Sequence, residues 1–231
     1  MNSRISLAML FAAGCHLRTT DPHAMGAAQH EAHAKHETDL AHEHDAQSDD
    51  ADRDTQAKCD RARFGPCWSA AEQHAGAAEH HRELAARHRA ASASLRDAEA
   101  RACAGLDDAD RDESPFAHGA DIGSVSPIEE SFPKGNDRVP SRLVGAQITF
   151  RPLAGMTVDW LDQAVACHIA RNAAIGHARA SEDMPYCPLT LAGAGAAVSS
   201  TADGIAVAIT SEDPAIASEI LRRAQSLVES R

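Results

Sequence analysis

Polar and apolar positions follow different rhythms in different parts of the chain. Between residues 69 and 105, His74, His81, His88, Leu95 and Ala102 fall every seventh residue, and Ala77, Leu84, Ala91 and Ala98 fall three later. That a/d stripe marks a helix lying along a partner helix. Ser69 to Ala104 contains no proline and one glycine, and is rich in helix formers. Ser69 with Glu72 reads as a capping box, and Gly105 stands where a helix stops. Such a helix is about 50 Å long. Its seam is thin, because alanine and histidine bury little apolar area. Glu83 with Arg87 and Asp97 with Arg101 are favourable i,i+4 pairs off the seam.

A second heptad series precedes it: His23, His30, Glu37 and His44. Residues 15–47 therefore read as a helical tether, able to fold back on 69–105 as an antiparallel hairpin with histidines in the interface. Residues 48–68 contain SDDADRD and KCDRARFGPCW, and read as a polar loop. Residues 106–140 carry four of the ten prolines and read as a linker, with Phe116, Ile122, Val125, Ile128 and Phe132 as anchors docked onto residues 141–231.

From residue 141 the period becomes two. Val144, Ala146, Ile148 and Phe150 alternate with Gly145, Gln147, Thr149 and Arg151, a half-buried strand. Thr157 caps a helix to about Ala174, with Trp160, Leu161, Ala164, Val165, His168 and Ile169 on one face and Gly176 as its stop. Asp203-Gly204 joins two extended runs as a hairpin. Asp213-Pro214 opens a last helix bearing Ile216, Ile220, Leu221, Ala224, Leu227 and Val228 on one face. Residues 141–231 are thus predicted as a β-α-β-β-α head. It has three or four strands under two helices, similar to a ferredoxin-like plait lacking its last strand. The class is α+β, long helices followed by a small two-layer domain.

Composition narrows the functions open to this architecture. The 231-residue chain has a formal charge of −12 with histidine neutral, which argues against duplex DNA or an anionic membrane surface as partner. Two Trp, one Tyr and five Phe suit one modest core beside solvated helices. No nucleophile elbow, phosphate loop, kinase signature or HExxH motif occurs, so an enzyme is not expected.

Residues 1–14 and Cys15 read MNSRISLAMLFAAGC: Arg4, an apolar run from Ile5 to Ala13, then small residues before a cysteine. This resembles the signal peptide and lipobox of bacterial lipoproteins, with Ala12 where that family prefers leucine. The resemblance covers these fifteen residues and implies cleavage before Cys15, with lipid on that cysteine anchoring the chain to a membrane. Because His16 is not the aspartate that retains such proteins in the inner membrane, the resemblance implies the outer membrane, facing the periplasm or the surface.

Seven of the fourteen histidines, at 16, 23, 30, 33, 36, 42 and 44, lie in the tether among carboxylates. His30, His33, His36, His42 and His44 are the candidate ligands for Zn²⁺, Cu²⁺ or Ni²⁺, without a spacing that selects one ion. The alternative is a polar spacer that gains charge as pH falls through the histidine range.

Five cysteines remain beyond Cys15. The length of the 69–105 helix separates Cys103 from Cys59 and Cys67. The expected pairs are Cys59–Cys67 across Gly65-Pro66 and Cys167–Cys187 in the head. Cys103 is then free or intermolecular, making it, or the helix seam, the expected contact of a homodimer. Cys167, His168, His177 and Cys187 also include a zinc-type donor set, but Cys167 and His168 point about 100° apart on their helix. The sequence thus favours a non-enzymatic, lipid-anchored envelope protein whose histidine-rich stalk presents a small head to an envelope partner. The alternative is a periplasmic metal-binding lipoprotein.

Overall fold

The structure, a computed structural model, describes residues 22–59, 69–131 and 141–229. Cys15 and Cys67 lie outside them, as does the side chain of Cys59, so the expected Cys59–Cys67 pair falls outside the described residues. The chain is α+β. Two long helices, α1 (Ala27–Cys59) and α2 (Ala71–Ala102), form an antiparallel hairpin. After a short α3 (Asp108–Asp112) come β1 (Ile122–Ser131), β2 (Ser141–Phe150), α4 (Val158–Ile175), α5 (His177–Asp183), β3 (Gly195–Thr201), β4 (Gly204–Thr210) and α6 (Pro214–Glu229).

Most of the head obeys its sequence signals. Thr157 Oγ1 accepts from the Trp160 amide at 3.1 Å and starts α4. Gly176, at φ 101°, ends it in a conformation that favours glycine. Asp213 Oδ1 accepts from the amides of Ala215 and Ile216 at the start of α6. The sheet is antiparallel, in the order β1-β2-β4-β3. Val125, Ile148, Val207 and Val198 fall in one cross-strand row of its inner face. Leu161 and Val165 of α4 and Ile220, Ala224 and Leu227 of α6 close over that face, with Phe116 stacked on Phe150 at 5.9 Å.

Four expectations need correction. First, the 106–140 segment is not only a linker, since it supplies β1, which pairs with β2 at the edge where a ferredoxin-like plait carries its last strand. Register shifts after Ile122 and Ile128 break the alternation of two, and Pro127 is tolerated because the strand is at an edge. Second, residues 48–59 continue α1 instead of looping. Their charges pair along the helix, Arg53 with Asp50 and Lys58 with Asp54, and Ser48 Oγ donates to the Ala71 carbonyl at 3.1 Å. Third, the Ser69–Glu72 capping box does not form. Ser69 Oγ accepts from the Ala71 amide and donates to Asp52, which fastens the hairpin's far end instead.

The fourth correction is the disulfide. Cys103 bonds to Cys167, with their Cα atoms 4.6 Å apart, and Cys187 is a buried free thiol. On α4, His168 turns toward Cys187, and the 100° step between neighbouring positions aims Cys167 at the end of α2. Cys103 is therefore neither free nor available to a second copy, and the α2 seam is occupied by α1.

The disulfide joins the hairpin to the head at one of two places. Arg171 bridges Asp112 at 2.7 Å and Glu99 at 4.0 Å, and Gln163 donates to the Ala104 carbonyl. The start of α1 also rests on the head: a Cβ on Gly26 would lie 2.4 Å from the Ile175 backbone. Both ends of the hairpin thus sit on α4, and its closed end lies about 50 Å away.

Candidate functional site in the helical arm

Small residues set how closely the two long helices approach. Ala34 and Ala41 of α1 and Ala71, Ala78, Ala85 and Ser92 of α2 are buried. The deepest positions of α2 lie one residue beyond the expected d series, and Ala77, Leu84, Ala91 and Ala98 are only half-buried. Alanine against alanine lets the backbones draw close, so the line of contact runs between the histidine series and its i+4 neighbours.

Layers of imidazole alternate with the alanines. His30 Nδ1 meets His88 Nδ1 at 2.9 Å, His81 Nδ1 meets Glu37 Oε2 at 2.6 Å, and His44 Nδ1 meets His74 Nδ1 at 3.3 Å. Partners step forward on α1 as they step back on α2. Two nitrogens at hydrogen-bond distance need one proton between them, so in each His–His pair one ring donates and the other accepts. Flanking rings stack on these pairs: His33 on His88 at 5.2 Å, and His81 on His44 at 5.4 Å with planes 10° apart. Burial first, then the neighbouring imidazoles of His88 and His33, hold His30 below its ordinary pKa. Ion pairs line the outside, Arg82 with Asp45 at 2.6 Å and Arg96 with Glu31 at 3.6 Å.

Of the five expected metal ligands, the structure brings three to the seam: His30 and His33 beside His88, and His44 beside His74 and His81. His36 and His42 are exposed on the outer surface of α1. As the side chains stand, no group of three or more His, Cys, Asp or Glu among the described residues is arranged to hold a metal. The partners on α2 lay in the sequence as the same seven-residue series.

The head's polar cluster is of another kind. His168 Nε2 lies 3.4 Å from Cys187 Sγ, to which Ser114 Oγ donates at 3.3 Å. Burial pushes the thiol's pKa up and lowers that of His168 to about 4, with Arg171 adding to the latter. Both groups are neutral near pH 7, so this is not a thiolate–imidazolium pair. Arg223, nearly buried, donates from Nη1 to the Cys187 carbonyl at 3.1 Å and to Thr190 Oγ1 at 2.8 Å. His177 Nδ1 is at 3.0 Å from the Thr190 carbonyl, so Cys167, His168, His177 and Cys187 share no ligand point. Trp160 Nε1 donates to Asp110 at 3.0 Å and fixes α3 on α4.

Comparison with protein-family models, with curated proteins and with solved structures found no match. Among the described residues no helix is long and apolar enough to cross a membrane.

Proposed function

We propose that the chain is a lipid-anchored envelope protein of non-enzymatic, interaction type, held in the outer membrane through Cys15. The observation that carries this reading is the position of the two ends of the helical hairpin. The start of α1 and the end of α2 both rest on α4, so the hairpin is an arm projecting from the head rather than a spacer beneath it. From Cys15 to Pro22 the chain advances seven residues, at most about 25 Å. Lipid on Cys15 therefore holds the head close to the bilayer and leaves the arm, with its exposed rows of Arg, Glu and Asp, to reach an envelope partner.

The test is membrane fractionation with metabolic labelling by a radioactive fatty acid, then photo-crosslinking from exposed arm positions such as His42 and Arg87. The expected result is a labelled membrane protein, loss of both label and membrane retention in Cys15→Ser, and crosslinks from the arm to one envelope protein. An unlabelled protein whose Cys15→Ser variant fractionates as before would sink the anchor. No crosslink to another protein from any arm position would sink the arm as the contact.

One observation favours a second reading, a periplasmic Zn²⁺-, Cu²⁺- or Ni²⁺-binding lipoprotein: imidazoles from both helices meet nitrogen to nitrogen.

A further inference from the structure

We propose that His30, His33 and His88 together take one Zn²⁺ or Cu²⁺ ion, in a site shared between the two helices of the arm; this rests on the metal-binding reading. His30 and His33 are three residues apart on α1 and so share a face. The His88 ring crosses from α2 with its centroid 5.2 Å from each of theirs. Three imidazoles thus occupy one layer of the hairpin, and they are the ligand type that suits both ions.

One pair of nitrogens already stands close to the spacing an ion requires. Zinc bound at about 2.0–2.1 Å to each nitrogen in a tetrahedral site sets two ligand nitrogens about 3.3 Å apart. His30 and His88 present theirs at 2.9 Å, so the pair must open by roughly 0.4 Å. His33 now lies stacked on His88, with 22° between the rings, so binding requires that half-buried ring to rotate and turn a nitrogen toward the pair. In each neutral imidazole one nitrogen is free to bind metal. The ring that donates its Nδ1 proton today moves it to Nε2, so binding needs no net loss of a proton. His30 is 6% exposed, so its ring is held within the seam against α2.

Two comparisons within the arm single out this layer. In the other histidine layer His81 Nδ1 is committed to Glu37 at 2.6 Å, leaving His44 and His74 as a pair. Near His30, Glu31 is paired outward with Arg96 at 3.6 Å and is not one of the ligands. Three neutral ligands leave the dication uncompensated and a fourth position for water or an incoming ligand. That chemistry suits loading and release more than a closed structural site.

The experiment is calorimetric titration of Zn²⁺ into the full chain carrying Cys15→Ser, stripped of metal, near neutral pH. It is repeated with His88→Gln, His33→Ala and the double variant His36→Ala/His42→Ala. Circular dichroism melts accompany each titration, and Cu²⁺ spectra count the coordinated nitrogens. We expect one ion per chain at micromolar Kd or tighter, weakened at least tenfold in His88→Gln and His33→Ala and unchanged in the double variant. Because the ion joins two helices, saturating Zn²⁺ should also raise the Tm of the arm. Binding that survives in a folded His88→Gln protein but is lost in the double variant would overturn this site and keep the metal reading. Uptake no tighter than millimolar by the parent chain would overturn both.

Discussion

The arm and the head are packed by opposite means. The head buries Phe116, Phe150, Ile122, Ile148, Leu161, Val207, Ile209 and Ile220, each at most 1% exposed. Each such side chain contributes about 1.5–3 kcal/mol on burial. The arm buries alanine, one serine and one histidine, and gains mainly from close backbones and from hydrogen bonds between side chains. A sheet with two helices folds around its own apolar surface. A helix pair with little apolar surface needs fixing from outside, and the head provides it at Gly26 and Cys103.

The strongest way to break this dependence is to remove the disulfide. The bond spans 64 positions, and by loop entropy its loss costs about 4 kcal/mol. In Cys103→Ser/Cys167→Ser, urea titration monitored by helix-sensitive circular dichroism should split into two steps, the arm melting first. A single transition at the parent midpoint would show that the arm stands alone.

Acid tests the head by itself. The His168 pKa is lowered from 6.5 to about 4 by burial, so the unfolded chain binds the proton more readily. Its contribution is complete above about pH 6.5 and falls as pH drops toward 4, by about 3 kcal/mol in all. His168→Gln should flatten the stability profile in that window, read from denaturation midpoints between pH 7 and 4. An unchanged slope would contradict this assignment.

Gly26→Ala places a methyl carbon against the Ile175 and Gly176 backbone and should cost about 2 kcal/mol. Hydrogen exchange should speed up in the first turns of α1 and stay unchanged in the sheet. Protection lost in both regions would mean that arm and head are not separable.

The smallest effect is at Glu219, whose pKa is lowered to about 2 by hydrogen bonds from Arg222 and then Arg223. Its contribution is present above about pH 4.5 and disappears as pH falls toward 2. Because the carboxylate is about a third exposed, Glu219→Gln should cost only about 1 kcal/mol at pH 7, measured by urea denaturation.

The same contrast governs what is legible in the sequence. Elements that bury their own apolar face show it in their pattern: the alternation through Phe150, the stripe of α4 and the face of α6. Elements held by what they touch do not. The acidic run of residues 48–59 is helical because Ser48 and Asp52 meet the start of α2 and its charges pair along the helix. β1 hides behind a proline and two register shifts. The histidine series on both helices is legible, and so is the hairpin, but not which imidazoles face each other. That depends on the relative register of the helices, which no local signal carries. The disulfide is hidden for a similar reason, since spacing along the chain favours pairing cysteines that are near in sequence. The angle between Cys167 and His168 belongs to any helix at those positions, and it aims them at different partners.

The repeat in the seam carries a consequence for assembly. Both helices repeat small residues every seven positions, Ala27, Ala34 and Ala41 against Ala71, Ala78, Ala85 and Ser92; histidine keeps that period on α2 at 74, 81 and 88, whereas on α1 Glu37 stands between His30 and His44. Sliding one helix past the other by a full heptad, about 10.5 Å, would again set alanine near alanine and would still leave one imidazole pair and one pair of Glu37 with a histidine. The small-residue seam is nearly degenerate with respect to that shift and only weakly chooses its own alignment. The head acts as the ruler: with Gly26 seated on Ile175 and Cys103 bonded to Cys167, one of several near-equivalent alignments is selected, and with it which histidines meet.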